Sequence, residues 1–193
     1  MNLVLDIGNT RVKYAVFLKN KLIHHGFWLE NDLLEGFENL LIVHPDIAYA
    51  IWCQSGADRP DLYQRLQGKL SVVHMTHQSK LPIENHYKTP NTLGLDRLAL
   101  ASAAQLYAPG KASLIIDCGT CVTYDFIDAN GRYFGGAISP GLSMRYRAMH
   151  HYTDRLPNLR AESTKALYGD STDSSMHQGA FRGLIHEIDG FID

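Results

Sequence analysis

The chain has 193 residues, 45% of them hydrophobic and 20% charged, with a formal net charge of −2 at pH 7. That is enough apolar material for one large or two small globular domains, and it contains no basic excess that would mark a nucleic-acid or anionic-membrane surface. Three cysteines do not make a disulfide scaffold, no apolar run approaches the ~20 residues of a membrane span, and no basic segment followed by an apolar core opens the chain; a soluble cytoplasmic protein is expected.

The chain opens with two apolar runs around a polar centre, Asp6-Ile-Gly-Asn-Thr10. Leu3, Val4 and Leu5 suit a buried strand, and Val12, Tyr14, Val16 and Phe17 a second one. Gly8 and Asn9 between them are residues that tolerate the positive φ of a hairpin turn. Such a turn presents backbone N–H groups, an amide, a hydroxyl and a carboxylate together, which suits either a phosphate cradle with a metal beside it or an ordinary hairpin. Lys21 to Trp28 reads as a third strand. Asn31 to Val43 has apolar residues at helical spacing, with Asn31 or Asp32 able to cap it. Ile47–Cys53 and Ser71–Met75 read as strands, with a weak helix at Asp61–Gln67 between them. The order β-β-β-α-β-α-β predicts a mixed sheet covered by helices.

Residues 76–93 are irregular and hold Pro82 and Pro90. Leu93 to Tyr107 is rich in Ala and Leu and predicts a helix, which Pro109-Gly110 ends. Strands follow at Ala112–Ile116, Val122–Ile127 and Tyr133–Ser139, the last two joined by the hairpin signal Asn130-Gly131. A helix is expected from Pro140-Gly141 to about His151, then a polar loop, then a helix from Met176 to the end. Ile115 to Phe126 repeats the pattern of Val4 to Ala15: two apolar residues, Asp-x-Gly, a polar turn and a second strand. The repeat predicts a duplicated domain whose two hairpins grip the ends of a polyphosphate. Cys118 and Cys121 form a C-x-x-C, but between strands rather than at the helix start of a redox motif, and no second pair completes a zinc site. No P-loop or G-x-G-x-x-G is present.

Taken together, Asp6-x-Gly-Asn-Thr10-x-x-Lys13, Leu93-Gly-Leu-Asp-Arg97, Asp117-x-Gly-Thr120, Gly135-Gly-x-Ile-x-Pro-Gly141 and Thr153-x-x-Leu-Pro157 resemble the type III pantothenate kinases, of the actin and sugar-kinase superfamily. The resemblance covers nearly the whole chain. It implies an α/β fold of duplicated ribonuclease-H-like domains, each a mixed five-stranded sheet with flanking helices, at residues 1–105 and 106–193. It also implies ATP-dependent phosphorylation of pantothenate, the first step toward coenzyme A, in a homodimer that needs Mg2+ and a monovalent cation, K+ or NH4+. A non-catalytic binding relative, or a kinase of another small hydroxyl compound, is the alternative. Members of the family continue past the region matching 181–193, so an incomplete second domain is expected.

The roles implied fall residue by residue. Asp96, near a helix start where the macrodipole favours a carboxylate, is the catalytic base. Gly8, Asn9, Thr10, Lys13 and Thr120 meet ATP, and Asp6 holds magnesium, through water. Asp117 binds the monovalent cation. Tyr87, Gly94, Leu95, Asp96, Arg97 and Thr172 contact pantothenate. Arg97 offers a planar fork for the substrate carboxylate or, equally, for an internal salt bridge. Lys13 is either a phosphate contact or a solvated strand-end charge, and Asp117 and Thr120 either ligands or turn caps.

Overall fold

The computed structural model describes residues 1–56 and 58–193. These form two compact units, one of residues Met1–Pro82 with Tyr87–Ala103, the other of Ile83–His86 with Ala104–Asp193.

The first unit holds a five-stranded sheet, β1 (Asn2–Ile7), β2 (Val12–Leu18), β3 (Lys21–Trp28), β4 (Tyr49–Gln54) and β5 (Ser71–His74), in the order β3-β2-β1-β4-β5. The first three strands are an antiparallel meander, and β4 and β5 run parallel to β1. Side chains alternate across the pleat, so Leu3, Leu5 and Ile7 share one face and Val4 and Asp6 the other. The three aliphatic residues are fully buried, in a core with Ala50 and Trp52 of β4, Leu33, Phe37 and Leu40 of α1 (Leu33–Val43), and Leu62 and Leu66 of α2 (Pro60–Gln67). Asp6 therefore sits on the opposite face from this core, one residue before the strand ends. α1 is preceded by a 3-10 turn at Glu30–Asp32; Asp32 stands at its N-cap with φ −103° and ψ 0°, away from extended capping geometry, and makes no side-chain cap bond. α3 (Leu95–Tyr107) buries Arg97, Leu98, Ala101 and Ser102.

The second unit is built on an antiparallel meander, β7 (Ser113–Cys118), β8 (Cys121–Ile127) and β9 (Arg132–Pro140). A two-residue strand, β6 (Glu84–Asn85), pairs with β9, giving four strands among the described residues in the order β6-β9-β8-β7, where the sequence suggests five. Gly131 takes φ 79° in the β8–β9 turn. The Asp128 carboxylate accepts the backbone N–H groups of Asn130 and Arg132 at 2.9 Å, and these bonds with the Arg132 side chain hold it below its ordinary pKa.

α4 (Leu142–His151) buries Tyr146 against Met176 and Ala180. The last helix starts earlier than its apolar pattern indicates. α5 (Thr172–His177) is nucleated by a capping box between Ser171 and Ser174, so polar residues form its first turn. It runs through a π turn, Gln178–Arg182, into α6 (Gly183–Ile192). α6 lays Leu184 on Val122 and Tyr124, and Phe191 stacks on the Tyr124 ring at 3.9 Å. The buried Tyr124 hydroxyl donates to Glu187 at 2.8 Å, and Arg145 of α4 pairs with the same carboxylate. Burial and the Glu187 bond push the Tyr124 phenol up to about 12. Burial pushes Glu187 up as well, but its bonds from Arg145, Ser139 and Tyr124 outweigh that and hold it below the ordinary value. None of the helices described is long and apolar enough to cross a membrane.

Candidate active site

In the first unit the β1–β2 connection runs from Gly8 to Arg11, between the register partners Ile7 and Val12, and is closed by a 3.2 Å bond from Gly8 N–H to Arg11 C=O. Neither Gly8 nor Asn9 has a positive φ, contrary to the hairpin geometry expected from sequence. Four residues span the turn without a left-handed residue. Glycine at position 8 answers a close approach instead: a Cβ there would lie 3.2 Å from the Arg11 carbonyl oxygen.

Asp6 and Lys13 are register partners, and Lys13 Nζ meets Asp6 Oδ2 at 3.2 Å. The other carboxylate oxygen, Oδ1, is buried and takes no hydrogen bond among the described residues. A carboxylate with one oxygen held by lysine and the other orphaned is chemically suited to a hard cation or its hydration water. Asn9, Thr10 and Lys13 are exposed around it.

Asp96 is the second residue of α3, and its Oδ1 accepts the Arg97 N–H at 2.9 Å. Gly94 leaves the space over that oxygen, which a Cβ would invade. Gly94→Ala is expected to turn the Asp96 side chain and lower kcat about tenfold with little change in melting temperature, read by steady-state kinetics beside a thermal melt. Arg97 is 6% exposed, with its guanidinium 5.6 Å from the Tyr87 ring centroid, so these two predicted substrate contacts come together. Leu95 opens α3 between them, half-buried.

Two residues that motif reading passes over organise this region. His77 Nε2 lies 2.8 Å from the Leu93 carbonyl, so it carries the proton and ties down the residue just before Gly94. Cys53 of β4 is the register partner of Asp6. Burial raises its thiol to about 12, with the charges of Asp6 and then Asp96 adding to the shift. Asp6 and Asp96 thus both stand close enough to act on one buried sulfur, which itself is an inert neutral thiol. Nothing in the sequence of Cys53 signals this; only strand register does.

In the second unit Cys118 and Val122 are register partners, and Gly119 N–H bonds to Cys121 C=O at 2.9 Å. This connection is one residue shorter than its counterpart. Asp117 faces Thr123 where Asp6 faces Lys13. Directly opposed residues of an antiparallel pair share a face. Thr123 Oγ1 is buried without a hydrogen-bond partner among the described residues. An orphan hydroxyl oxygen beside a carboxylate is a donor set for a weakly held cation. Thr120 is exposed at the turn, and its carbonyl accepts the N–H of Gly141, which caps α4. A Cβ on Gly141 would lie 2.9 Å from the Thr120 carbonyl carbon, so glycine is required for this docking.

Thr172 stands at the start of α5, in an open depression of about 570 Å³ lined also by Met149, Leu156, Gly169, Asp170 and Met176. No other predicted site residue lines it. His150 donates from Nδ1 to the Leu156 carbonyl at 2.7 Å, so this histidine holds the loop beside the depression. Cys53, Cys118 and Cys121 are all free thiols, and no cluster of three metal-ligating side chains occurs among the described residues.

A family profile described as type III pantothenate kinase matches residues 2–193. The chain belongs to the type III pantothenate kinase family. Among its curated relatives, the type III pantothenate kinase of Flavobacterium johnsoniae is 42% identical over 193 residues, covering 100% of this chain and 79% of the relative. That of Christiangramia forsetii is 43% identical over 192 residues, again with 79% of the relative covered. A solved structure of a Baf-family protein from Campylobacter jejuni superposes with a TM-score of 0.62 at 19% identity, over 97% of this chain and 78% of that one. A 2-dehydro-3-deoxygalactonokinase-type protein from Sinorhizobium meliloti superposes with a TM-score of 0.57 at 10% identity, over 100% of this chain and 82% of that one. At these identities the two structures speak to the fold alone, which is that of the sugar-kinase and actin-like group. The profile of the type III pantothenate kinases runs through both hairpins, the Gly94–Arg97 segment and α6.

Proposed function

We propose that the protein phosphorylates the primary hydroxyl of pantothenate with ATP, giving 4'-phosphopantothenate in the first step of coenzyme A synthesis. The observation that carries this reading is the family match over residues 2–193. Phosphoryl transfer asks a protein mainly for alignment, charge neutralisation and an acceptor for the hydroxyl proton.

Asp96 accepts that proton. Its Oδ1 already receives the Arg97 N–H, so Oδ2 is the oxygen left to point at the substrate hydroxyl as the new O–P bond forms. The freed ADP carries the electron pair of the broken bond. Asp6, with its orphaned Oδ1, would hold hydrated Mg2+. The ion, when bound, supplies the positive charge that offsets the phosphate oxygens. Lys13 neutralises Asp6 and stands as a second positive point beside the same phosphates. The Gly8, Asn9 and Thr10 N–H groups and hydroxyl meet one part of the triphosphate, and Thr120 another. Arg97, held by the Tyr87 ring, receives the pantothenate carboxylate, Gly94 and Leu95 leave its backbone path open, and Thr172 takes a polar contact. Asp117 with Thr123 holds K+ or NH4+. The working form is a cytoplasmic homodimer.

A coupled ADP-release assay on the purified chain tests the reading. Turnover is expected only when ATP, Mg2+, pantothenate and K+ are all present. ATP hydrolysis that is indifferent to pantothenate would sink it in favour of another kinase of the group, and no turnover at all would favour a binding relative. Thr123→Val, which fills the same space without an oxygen, is expected to raise the K+ concentration for half-maximal rate about tenfold while leaving the Km for pantothenate unchanged. An unaltered K+ titration would remove Thr123 from the cation site.

A further inference from the structure

The loop that follows β4 curls over the end of β1. Ser55 N–H and Gly56 N–H both bond to the Ile7 carbonyl, at 3.0 and 2.8 Å. That double anchor presses the Gly56 α-carbon against the Gly8–Asn9 peptide. A Cβ at position 56 would collide with the carbonyl carbon and oxygen of Gly8 and stand 2.6 Å from the nitrogen of Asn9. All three atoms belong to one planar group, so Gly56 meets its flat face, and the in-plane Asn9 N–H stays available. The backbone at Gly56 is not in the left-handed region; another residue is excluded there by space alone. No charge, motif or hydrophobic pattern in the sequence distinguishes this glycine from a turn former.

We propose that Gly56 is a positioning residue for the first phosphate hairpin: by bearing on the Gly8–Asn9 peptide it sets the direction of that hairpin's N–H donors and so its affinity for the phosphate chain of a nucleotide. The inference rests on the reading of this hairpin as an ATP site. Backbone donors aimed at phosphate act through direction as well as distance, and the turn carries no left-handed residue that would fix its shape from within. The Ser55–Gly56 pair, anchored on the Ile7 carbonyl, supplies that constraint from outside.

The test compares Gly56→Ala with Gly68→Ala, using ADP with Mg2+ as the probe in calorimetry and ATP in kinetics. A Cβ at Gly68 would make only ordinary contact, 3.5 Å from the Gln64 carbonyl oxygen, in right-handed geometry. Gly56→Ala is expected to weaken ADP binding and raise the Km for ATP, each about tenfold, with the Km for pantothenate unchanged and kcat within about twofold. Amide resonances of Gly8 and Asn9 shift in the unliganded variant while those of Gly119 and Thr120 stay in place. Gly68→Ala matches the parent in every measurement. A folded Gly56→Ala protein with parental ADP affinity overturns the assignment. So does a Gly56→Ala protein that fails to fold, which would make the contact structural for the whole unit. Failure of the parent protein to bind ADP would instead bring down the nucleotide reading of the hairpin, and this inference with it.

Discussion

Asp96→Asn is expected to abolish most turnover without unfolding the protein. The substitution is isosteric, and the side-chain oxygen still accepts the Arg97 N–H that Oδ1 accepts at 2.9 Å. What disappears is the proton acceptor. Losing a positioned general base costs roughly 10²–10⁴ in kcat, while the Km for pantothenate stays near its parental value, because Arg97 and Tyr87 are untouched. The ADP-release assay measures the first, and a thermal melt checks that the fold persists. A folded Asp96→Asn enzyme with parental kcat would falsify the role of base and return Asp96 to a helix-start carboxylate.

Asp6→Asn is the second large expected effect, and it separates a metal-binding hairpin from an ordinary one. Asparagine keeps the shape but loses the negative charge, which Lys13 meets at 3.2 Å and which suits the half-orphaned carboxylate to a hydrated cation. The ion pair is half-exposed, so its loss costs at most about 1 kcal/mol of stability. A lost charged ligand weighs far more on the metal complex. The Mg2+ concentration for half-maximal rate is expected to rise at least about tenfold, and kcat at saturating Mg2+ to fall about a hundredfold. A Mg2+ titration of turnover reads both. If the curve coincides with that of the parent, Asp6 serves only the strand end.

The strands of both meanders were legible in the sequence because period-two alternation and β-branched residues mark them directly. The helix over Leu95–Tyr107 and the turn at Gly131 followed from composition and a two-residue signal. The start of α5 was hidden because a capping box of serines, not an apolar residue, sets it. The conformation of the first hairpin departs from its sequence signal for a related reason. Gly-Asn suggests left-handed geometry, whereas the glycine there answers crowding by the Arg11 carbonyl that no local pattern encodes. The candidate site divides in the same way. Asp6, Asp96, Asp117 and Arg97 stand out by type and motif. Cys53, His77, Gly56 and Thr123 emerge only from strand register or from loops that meet in space, which a linear reading does not supply.

The residues opposite the two hairpin aspartates bear on how a duplicated fold diverges. The strands on either side keep their apolar pattern, so both copies fold alike. The returning strands enter in the same phase, Val12 and Lys13 in one copy and Val122 and Thr123 in the other, so the lysine that faces one aspartate and the threonine that faces the other hold equivalent positions. One copy thus comes with its compensating charge built into the polypeptide, and on the proposed function the other draws an ion from its surroundings. On the reading proposed here, one change of residue type opposite an unchanged aspartate made half of the duplicated fold answer to the salt composition of the cell.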